Sequence, residues 1–372
     1  MNRPIELNDF GRQWADVGAA ALDAVRIVGE SGWYILGSEV AAFERALADA
    51  LGAEHAVGCA SGLDAIEIAL RATGARPGDR VLTTPLSAFA TTLAILRTGC
   101  VPVFADVDAA GLLDLDRCEE VLADGGIRFL LPVHLYGHVL DLDRLAELRA
   151  HHGIVVVEDL AQAIGASWRG RAAGTVGDAA ALSLYPTKNL GGMGDGGVVV
   201  TGDEAIQNRS RALRDYGQTA KYVHDHRGLN SRLDEMQAAI LRRVSLPRLE
   251  GWTARRREIA CTYLRGIVNP CVRPVAAPAG SASVWHLFPV LVDDREAFRR
   301  HLEAGGVHSG VHYPRLITEQ RALTDGADFE VAGDLHNAAA FAASEVSLPI
   351  HPYLTSGEVE RIIELVERWS PP

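Results

Sequence analysis

Gly192-Met193-Gly194-Asp195-Gly196-Gly197-Val198-Val199-Val200-Thr201 formally contains the G-x-G-x-x-G pattern of dinucleotide-binding folds. That fingerprint must follow a strand and open a helix, so that the helix N-terminus meets a pyrophosphate. Here the glycines run instead into Val198 to Thr201, which reads as a strand. The dinucleotide reading fails on this context, and the glycines are read as backbone room in a loop. Immediately upstream stands Ser183-Leu184-Tyr185-Pro186-Thr187-Lys188-Asn189-Leu190, with one lysine in a charge-poor setting. Desolvation disfavours the charged form of an amine, so such a lysine should have a lowered pKa and be nucleophilic. The competing reading is a loop lysine that reaches solvent.

Outward from this stretch, short apolar runs alternate with helical ones. Strands are expected at 55–59, 80–84, 101–105, 127–133, 154–157, 180–184 and 198–201, with helices at 62–72, 87–98 and 142–152 between them. This alternation predicts an α/β fold with a mostly parallel sheet flanked by helices. Two helices precede it, 11–29 and 38–51, the second with Ser38 as N-cap. Beyond Ser231 the character changes. Helices are expected at 233–244, ending near Pro247, and at 252–266, 295–304, 332–342 and 356–369, with strands at 287–292, 307–309 and 346–348. Residues 1–245 therefore read as a large domain and 246–372 as a smaller α+β domain.

The chain has 372 residues, 48% of them apolar and 23% charged, which suits a globular protein of two or more lobes. Its formal net charge of −12 argues against broad nucleic-acid binding but leaves room for a local cationic pocket. No apolar run has transmembrane length, and the N-terminus lacks the apolar core of a secretion signal. Five scattered cysteines without a C-x-x-C pair read as core residues in a reducing compartment, so the expected location is the cytoplasm. His134 and His138, His151 and His152, and His224 and His226 lack a nearby Cys or acid at zinc-site spacing, and no metal is expected.

Four further segments carry chemistry. Ala60-Ser61-Gly62-Leu63-Asp64-Ala65 lies between a strand and a helix, so the N–H groups of the helix start offer an anion cradle. Ser61 and Asp64 are free to cap it, and an ordinary N-cap without ligand is the competing reading. Asp159 ends the strand Val155-Val156-Val157-Glu158-Asp159, at the edge where α/β sheets bind ligands. A carboxylate there can keep a pyridinium nitrogen protonated, or it can simply cap the next helix. Gln162 reaches the same ligand if a helical turn begins here. Phe89 can stack on a flat ring or pack in the core. The Ser183 hydroxyl can donate to a phosphate held at the Gly62 helix start. An imine-forming lysine, a carboxylate, a stacking ring and a phosphate cradle are the parts that pyridoxal 5'-phosphate chemistry needs.

Gly32-Trp33-Tyr34-Ile35-Leu36-Gly37, Ser61-Gly62-Leu63-Asp64-Ala65, Glu158-Asp159-Leu160-Ala161-Gln162-Ala163 and Tyr185-Pro186-Thr187-Lys188-Asn189-Leu190-Gly191 follow one another in order. Gly194-Asp195-Gly196-Gly197, Asn230-Ser231-Arg232-Leu233-Asp234-Glu235-Met236-Gln237-Ala238-Ala239 and His312-Tyr313-Pro314 complete the series. With these blocks the chain resembles, nearly end to end, the DegT-type sugar aminotransferases, which are fold-type-I pyridoxal-phosphate enzymes. The resemblance implies Lys188 as imine lysine and proton-transfer base, Asp159 at the pyridine nitrogen, Gln162 near the ring hydroxyl and Phe89 stacked on the ring. It implies Gly62, Leu63 and Ser183 at the phosphate, and Asn230 reaching the cofactor phosphate of a neighbouring subunit in a homodimer with shared sites.

Leu63 departs from the pattern, since many relatives carry a threonine there, and only its backbone N–H remains to serve the phosphate. A dehydratase branch has histidine in place of the lysine, so Lys188 argues for transamination. The implied reaction moves an amino group from L-glutamate, by way of pyridoxamine 5'-phosphate, to a 3-keto or 4-keto group of a nucleotide-linked 6-deoxyhexose, with deoxythymidine diphosphate (dTDP) as the expected carrier. Tyr185, Tyr216, Lys221, His312 and Tyr313 are the candidates for sugar or diphosphate contacts, against ordinary surface roles. Amination of a cyclitol ketone, sugar modification without transamination, and a non-catalytic regulatory role stay open as alternatives.

Overall fold

Runs such as Val155–Val157 and Val198–Val200 are apolar at every position, which suits strands covered on both faces. The computed structural model, which describes residues 3–371, forms them into an eight-stranded sheet. In chain order its strands are β1 (His55–Cys59), β2 (Arg80–Thr83), β3 (Val101–Phe104), β4 (Ile127–Leu130), β5 (Val155–Asp159), β6 (Ala179–Ser183), β7 (Gly197–Thr201) and β8 (Glu330–Val331). They lie in the order β1-β7-β6-β5-β4-β2-β3-β8. Only β7 runs against its neighbours, β1 and β6, so the sheet is mostly parallel as expected. Successive side chains point to opposite faces. Leu82, Leu130, Val156, Leu182 and Val198 enter one core, while Val81, Phe129, Val157, Ala181 and Val199 enter the other. Each such buried Val, Leu or Phe side chain contributes about 1.5–3 kcal/mol.

Four helices precede or follow the first strands: α1 (Phe10–Ser31), α2 (Ser38–Leu51), α3 (Gly62–Ala72) and α4 (Phe89–Arg97). A second core gathers Ile259, Tyr263, Phe288, Phe298, Val346 and Ile362 with Ile5 from the N-terminus. It packs around a three-stranded antiparallel sheet of Arg273–Pro274, Phe288–Leu291 and Glu345–Leu348. The C-terminal part also returns β8 to the edge of the large sheet, parallel to β3.

Several local expectations change. Ser38 is not an N-cap but the first helical residue, and Gly37 is the cap position, without a side-chain bond. The carboxylate of Glu235 caps instead, accepting from the N–H groups of Gly37, Glu39 and Val40 at 2.8 Å each. A cap supplied from almost two hundred residues away leaves no local signal. The helix expected to stop near Pro247 runs on from Glu235 to Gly266 through a π turn at Leu241–Ser245 and a 3-10 turn at Leu246–Arg248. Proline lacks the N–H of a regular turn, and the altered turns around it absorb that loss. A division near residue 245 would fall inside this helical run. Residues 307–309 form no strand: Val307 makes a single bridge to Ile5. The helix Leu115–Ala123, capped by Asp114, is additional to the expected elements.

Candidate active site

The sheet register builds the site. Cys59, Gly197 and Ser183 sit side by side on β1, β7 and β6, and Asp159 pairs with Ala181 between β5 and β6. Strands β1, β5 and β6 therefore end at one edge of the sheet. The chain leaving β1 turns there into α3, directly against Ser183. Gly197 lets this turn come close, because a Cβ on it would lie 2.1 Å from the Ser61 carbonyl oxygen. The loop glycines thus do provide backbone room.

The Ser61 side chain caps α3, accepting from the Asp64 N–H at 3.1 Å. Asp64 is engaged elsewhere, with Ser231 at 2.8 Å and Arg97 at 3.1 Å. The N–H groups of Gly62 and Leu63 find no acceptor among the described residues, so the capped helix start still presents two donors. The Ser183 hydroxyl, 3.4 Å from the Tyr185 N–H, keeps its own proton to donate. This cradle fits a phosphate group.

Asp159 is buried at the end of β5. One of its oxygens accepts from the Ala161 N–H at 3.0 Å and the other from the Thr91 hydroxyl at 2.9 Å. No regular helix follows it, so it caps a turn only. Burial raises its pKa, against the lowering effects of those two bonds and of the Lys188 charge. Lys188 stands close enough to couple to it. Burial lowers the Lys188 amine to about 8, partly opposed by Asp159. Phe89 opens α4 half-buried, packed in part on the cluster of Phe104, Ile317 and Leu323. The carboxylate, the depressed amine and the cradle at one sheet edge fit pyridoxal phosphate.

Gln162 accepts from the Tyr136 N–H at 2.6 Å and donates to the Tyr313 hydroxyl at 3.3 Å. That contact brings the His312-Tyr313 loop over the site, where the Tyr136 hydroxyl donates to the His312 carbonyl at 2.8 Å. Burial and the Lys188 charge lower His312 to about 4. Tyr185 is half exposed beside this cluster in sequence. Tyr216, Lys221 and Asn230 belong to an exposed excursion holding a short hairpin, Gln218–Ala220 with Val223–His224. There Tyr216 stacks with Arg232, Lys221 with Tyr222, and Asn230 bridges to Asp215. None of the three contacts the Lys188 cluster within this chain, among the described residues.

The structure adds residues that the sequence reading passed over. Thr91 holds Asp159, and its one signal was a hydroxyl two positions after Phe89. His286 is buried where the Lys188 charge reaches it, with Asn189 at 3.2 Å. Glu345 and Ser347 lie behind His312. The two histidines His151 and His152 do meet an acid, Glu119, which packing rather than sequence brings near. Glu119 is already paired with His152 at 2.9 Å and Arg144 at 3.2 Å.

Residues 16–367 match the model of the DegT/DnrJ/EryC1/StrS aminotransferase family. The chain is 42% identical over 368 residues to a dTDP-3-amino-3,4,6-trideoxy-alpha-D-glucose transaminase of Streptomyces venezuelae, covering 97% of this chain and 95% of that one. It is 40% identical to a dTDP-3-amino-3,6-dideoxy-alpha-D-galactopyranose transaminase of Aneurinibacillus thermoaerophilus, over 93% and 94% of the two chains. The structure of S. venezuelae DesV in complex with a ketimine intermediate superposes with a TM-score of 0.94 at 41% identity, covering 99% of each chain. Solved structures of the same fold hold pyridoxal or pyridoxamine phosphate. Matched in fold and over almost its whole length, the chain belongs to the DegT/DnrJ/EryC1/StrS aminotransferase family, whose members are pyridoxal-phosphate-dependent transaminases.

Proposed function

We propose that this enzyme is a sugar aminotransferase that moves an amino group from L-glutamate to the 3-keto group of a dTDP-linked 6-deoxyhexose. It does so as a cytoplasmic homodimer with shared sites. The observation that carries the reading is the placement of Lys188 near enough to the buried Asp159 for their charges to couple, at the strand ends that also hold the Gly62 and Ser183 cradle. The names of the relatives support the sugar class, since both describe dTDP-linked 3-amino sugars. Trp33, Tyr34, Tyr222 and Val223 are exposed on the surface, which supports a partner subunit covering them. No helix of the described residues is long and apolar enough to cross a membrane.

Bound pyridoxal phosphate would supply the electron sink for deprotonation next to an amine. The Gly62 and Leu63 N–H groups and the Ser183 hydroxyl would hold its phosphate. Asp159 would keep the proton on its ring nitrogen, with Phe89 against one ring face and Gln162 near the ring hydroxyl. Lys188 Nζ would take the proton from Cα of glutamate and, in the sugar half-reaction, deliver a proton to the sugar carbon that gains the amine, which an amine near neutrality does well. His312, Tyr313 and Tyr185 would contact the sugar. Tyr216, Lys221 and Asn230 would reach the site of the neighbouring subunit, a reading that their place on an exposed excursion supports. The test is a panel of 3-keto and 4-keto dTDP-deoxysugars and a cyclitol ketone, each with glutamate. Amination of the 3-keto sugar is expected, and turnover confined to the 4-keto sugar or the cyclitol would sink the substrate assignment.

A further inference from the structure

Behind His312 lies a buried chain of three groups. Glu345, wholly buried at the start of the strand Glu345–Leu348, accepts the His312 backbone N–H on one carboxyl oxygen at 2.6 Å. Its other oxygen meets the Ser347 hydroxyl at 2.5 Å, and that hydroxyl meets His312 Nδ1 at 2.9 Å. His312 Nε2 has no protein partner among the described residues, yet it is not among the buried unpaired atoms, so it keeps some exposure, on a ring close enough to Lys188 for that charge to act on it. Nothing in the aminotransferase chemistry uses Glu345.

Counting protons along the chain shows what it does. Two links must be filled, and Ser347 has one hydrogen. With Glu345 ionised, Ser347 donates to the carboxylate, so the second link needs the hydrogen on His312 Nδ1. Nε2 then carries a bare lone pair. With Glu345 protonated, the carboxyl donates to Ser347, Ser347 donates to Nδ1, and the ring hydrogen sits on Nε2. The ring is neutral in both states, and the proton lost on titration is in effect exchanged from the Nε2 side. Which nitrogen of a histidine is protonated is set in this way by the bond its other nitrogen makes.

We propose that Glu345 is a positioning residue that, through Ser347, selects whether His312 offers the cleft a hydrogen-bond donor or an acceptor. In the proposed reaction, on which this last consequence rests, His312 would face a sugar hydroxyl or the keto oxygen. Only the donor form can bind a carbonyl oxygen. The surroundings put the switch near working pH. Burial pushes Glu345 up to about 8, against lowering by Ser347, the His312 N–H, Arg295 and Arg299. Tyr136 and Tyr313 also face it, both raised chiefly by burial and further by its charge. His312 itself faces Lys188 and His286, and is held neutral. At neutral pH Glu345 is therefore protonated and His312 is a donor through Nε2.

The test reads the ring directly, independent of any substrate. Cofactor-loaded full-length protein labelled with 15N-histidine is followed by two-bond 15N–1H correlation, with the His312 signals assigned by their loss in His312→Gln. Between about pH 6.5 and about pH 9.5 the wild type should pass from the Nε2–H to the Nδ1–H form. Glu345→Gln, whose amide oxygen is held by the His312 N–H so that its NH2 group faces and donates to Ser347, should stay Nε2–H throughout, and Ser347→Ala should lose the transition. A wild-type ring that keeps one tautomer over this range overturns the proposal, even should the variants fail to fold. So does a transition that survives unchanged in Glu345→Gln. A tautomer change in a protein that aminates no sugar would uphold the relay and refute the sugar reading instead.

Discussion

Gly62 packs on Ser183 so closely that a Cβ at position 62 would lie 2.7 Å from the Cβ and 3.1 Å from the Cα of Ser183. The start of α3 and the end of β6 are thereby held as one surface, with the free N–H groups on one side and the serine hydroxyl on the other. Gly62→Ala should push the two apart while leaving the rest of the helix in place. Cofactor affinity should fall about tenfold or more, which is about 1.4 kcal/mol. A titration of the apoprotein with pyridoxal phosphate checks this, and an unchanged dissociation constant would remove the cradle from cofactor binding.

Asp159→Asn keeps an oxygen for the Ala161 N–H or the Thr91 hydroxyl but cannot hold a proton on a pyridine nitrogen by charge. Turnover should drop on the order of 100-fold or more, the scale on which a positioned proton-transfer partner acts. Circular dichroism should match the wild type. Near-normal kcat would show that Asp159 is a structural cap alone.

Glu235, distant in sequence but packed against α2, is buried and closes the N-terminus of that helix. Three backbone donors share this one carboxylate. Glu235→Ala should cost about 3 kcal/mol, since it strands those N–H groups. Glu235→Gln, which retains an acceptor oxygen, should cost less. Thermal unfolding of both variants decides it, and equal melting temperatures for Glu235→Ala and wild type would contradict the assignment.

Arg12 binds Glu358 through two hydrogen bonds, at 2.7 and 2.6 Å, joining α1 to the closing helix Ser356–Glu367. The Arg12 hydrogen bond is the largest influence on Glu358, lowering it from 4.5 to about 2. A carboxylate held below its unfolded value stabilises the fold fully above pH 4.5, and the gain is lost as pH falls through about 2. The pair is partly exposed, so solvent screening reduces its worth to about 1 kcal/mol. Glu358→Gln should be less stable than wild type by that amount at neutral pH and indistinguishable near pH 2. A gap that persists at pH 2 would point to packing rather than charge.

Seven of the eight strands were legible in the sequence because each is a short, mostly apolar run that alternates its burial between two cores; the edge strand Glu330–Val331 is exposed and carries no such signal. His55–Cys59, Gly62–Ala72 and Leu142–His152 occupy the very residues expected. What escaped was whatever depends on distant partners. Ser38 looked like a cap because capping preferences are local, whereas Glu235, almost two hundred residues away in sequence, does the capping. Pro247 looked like a stop because the turns that accommodate it have no sequence signature. At the site, Lys188, Asp159 and Gly62 announce themselves through neighbouring residues of the right type. Glu345 opens an ordinary strand and His286 lies in the bend before another, and both gain their meaning only from what folds against them. Tyr216, Lys221 and Asn230 lie on an exposed excursion that makes no contact with the Lys188 cluster among the described residues, and nothing in their local sequence signals that placement.

The chain contains only two lysines, Lys188 and Lys221. This makes the imine assignment open to a direct measurement. Protein loaded with pyridoxal phosphate is treated with borohydride, which fixes any imine covalently, and the labelled peptide is identified by mass. Lys188 as the imine lysine requires one phosphopyridoxyl group per chain, on the peptide Tyr185–Leu190, and none on Lys221. Glutamate added beforehand should bleach the visible absorption of the loaded protein and prevent the labelling. Label on Lys221 or the N-terminal amine, or unlabelled protein that still transaminates, would contradict it.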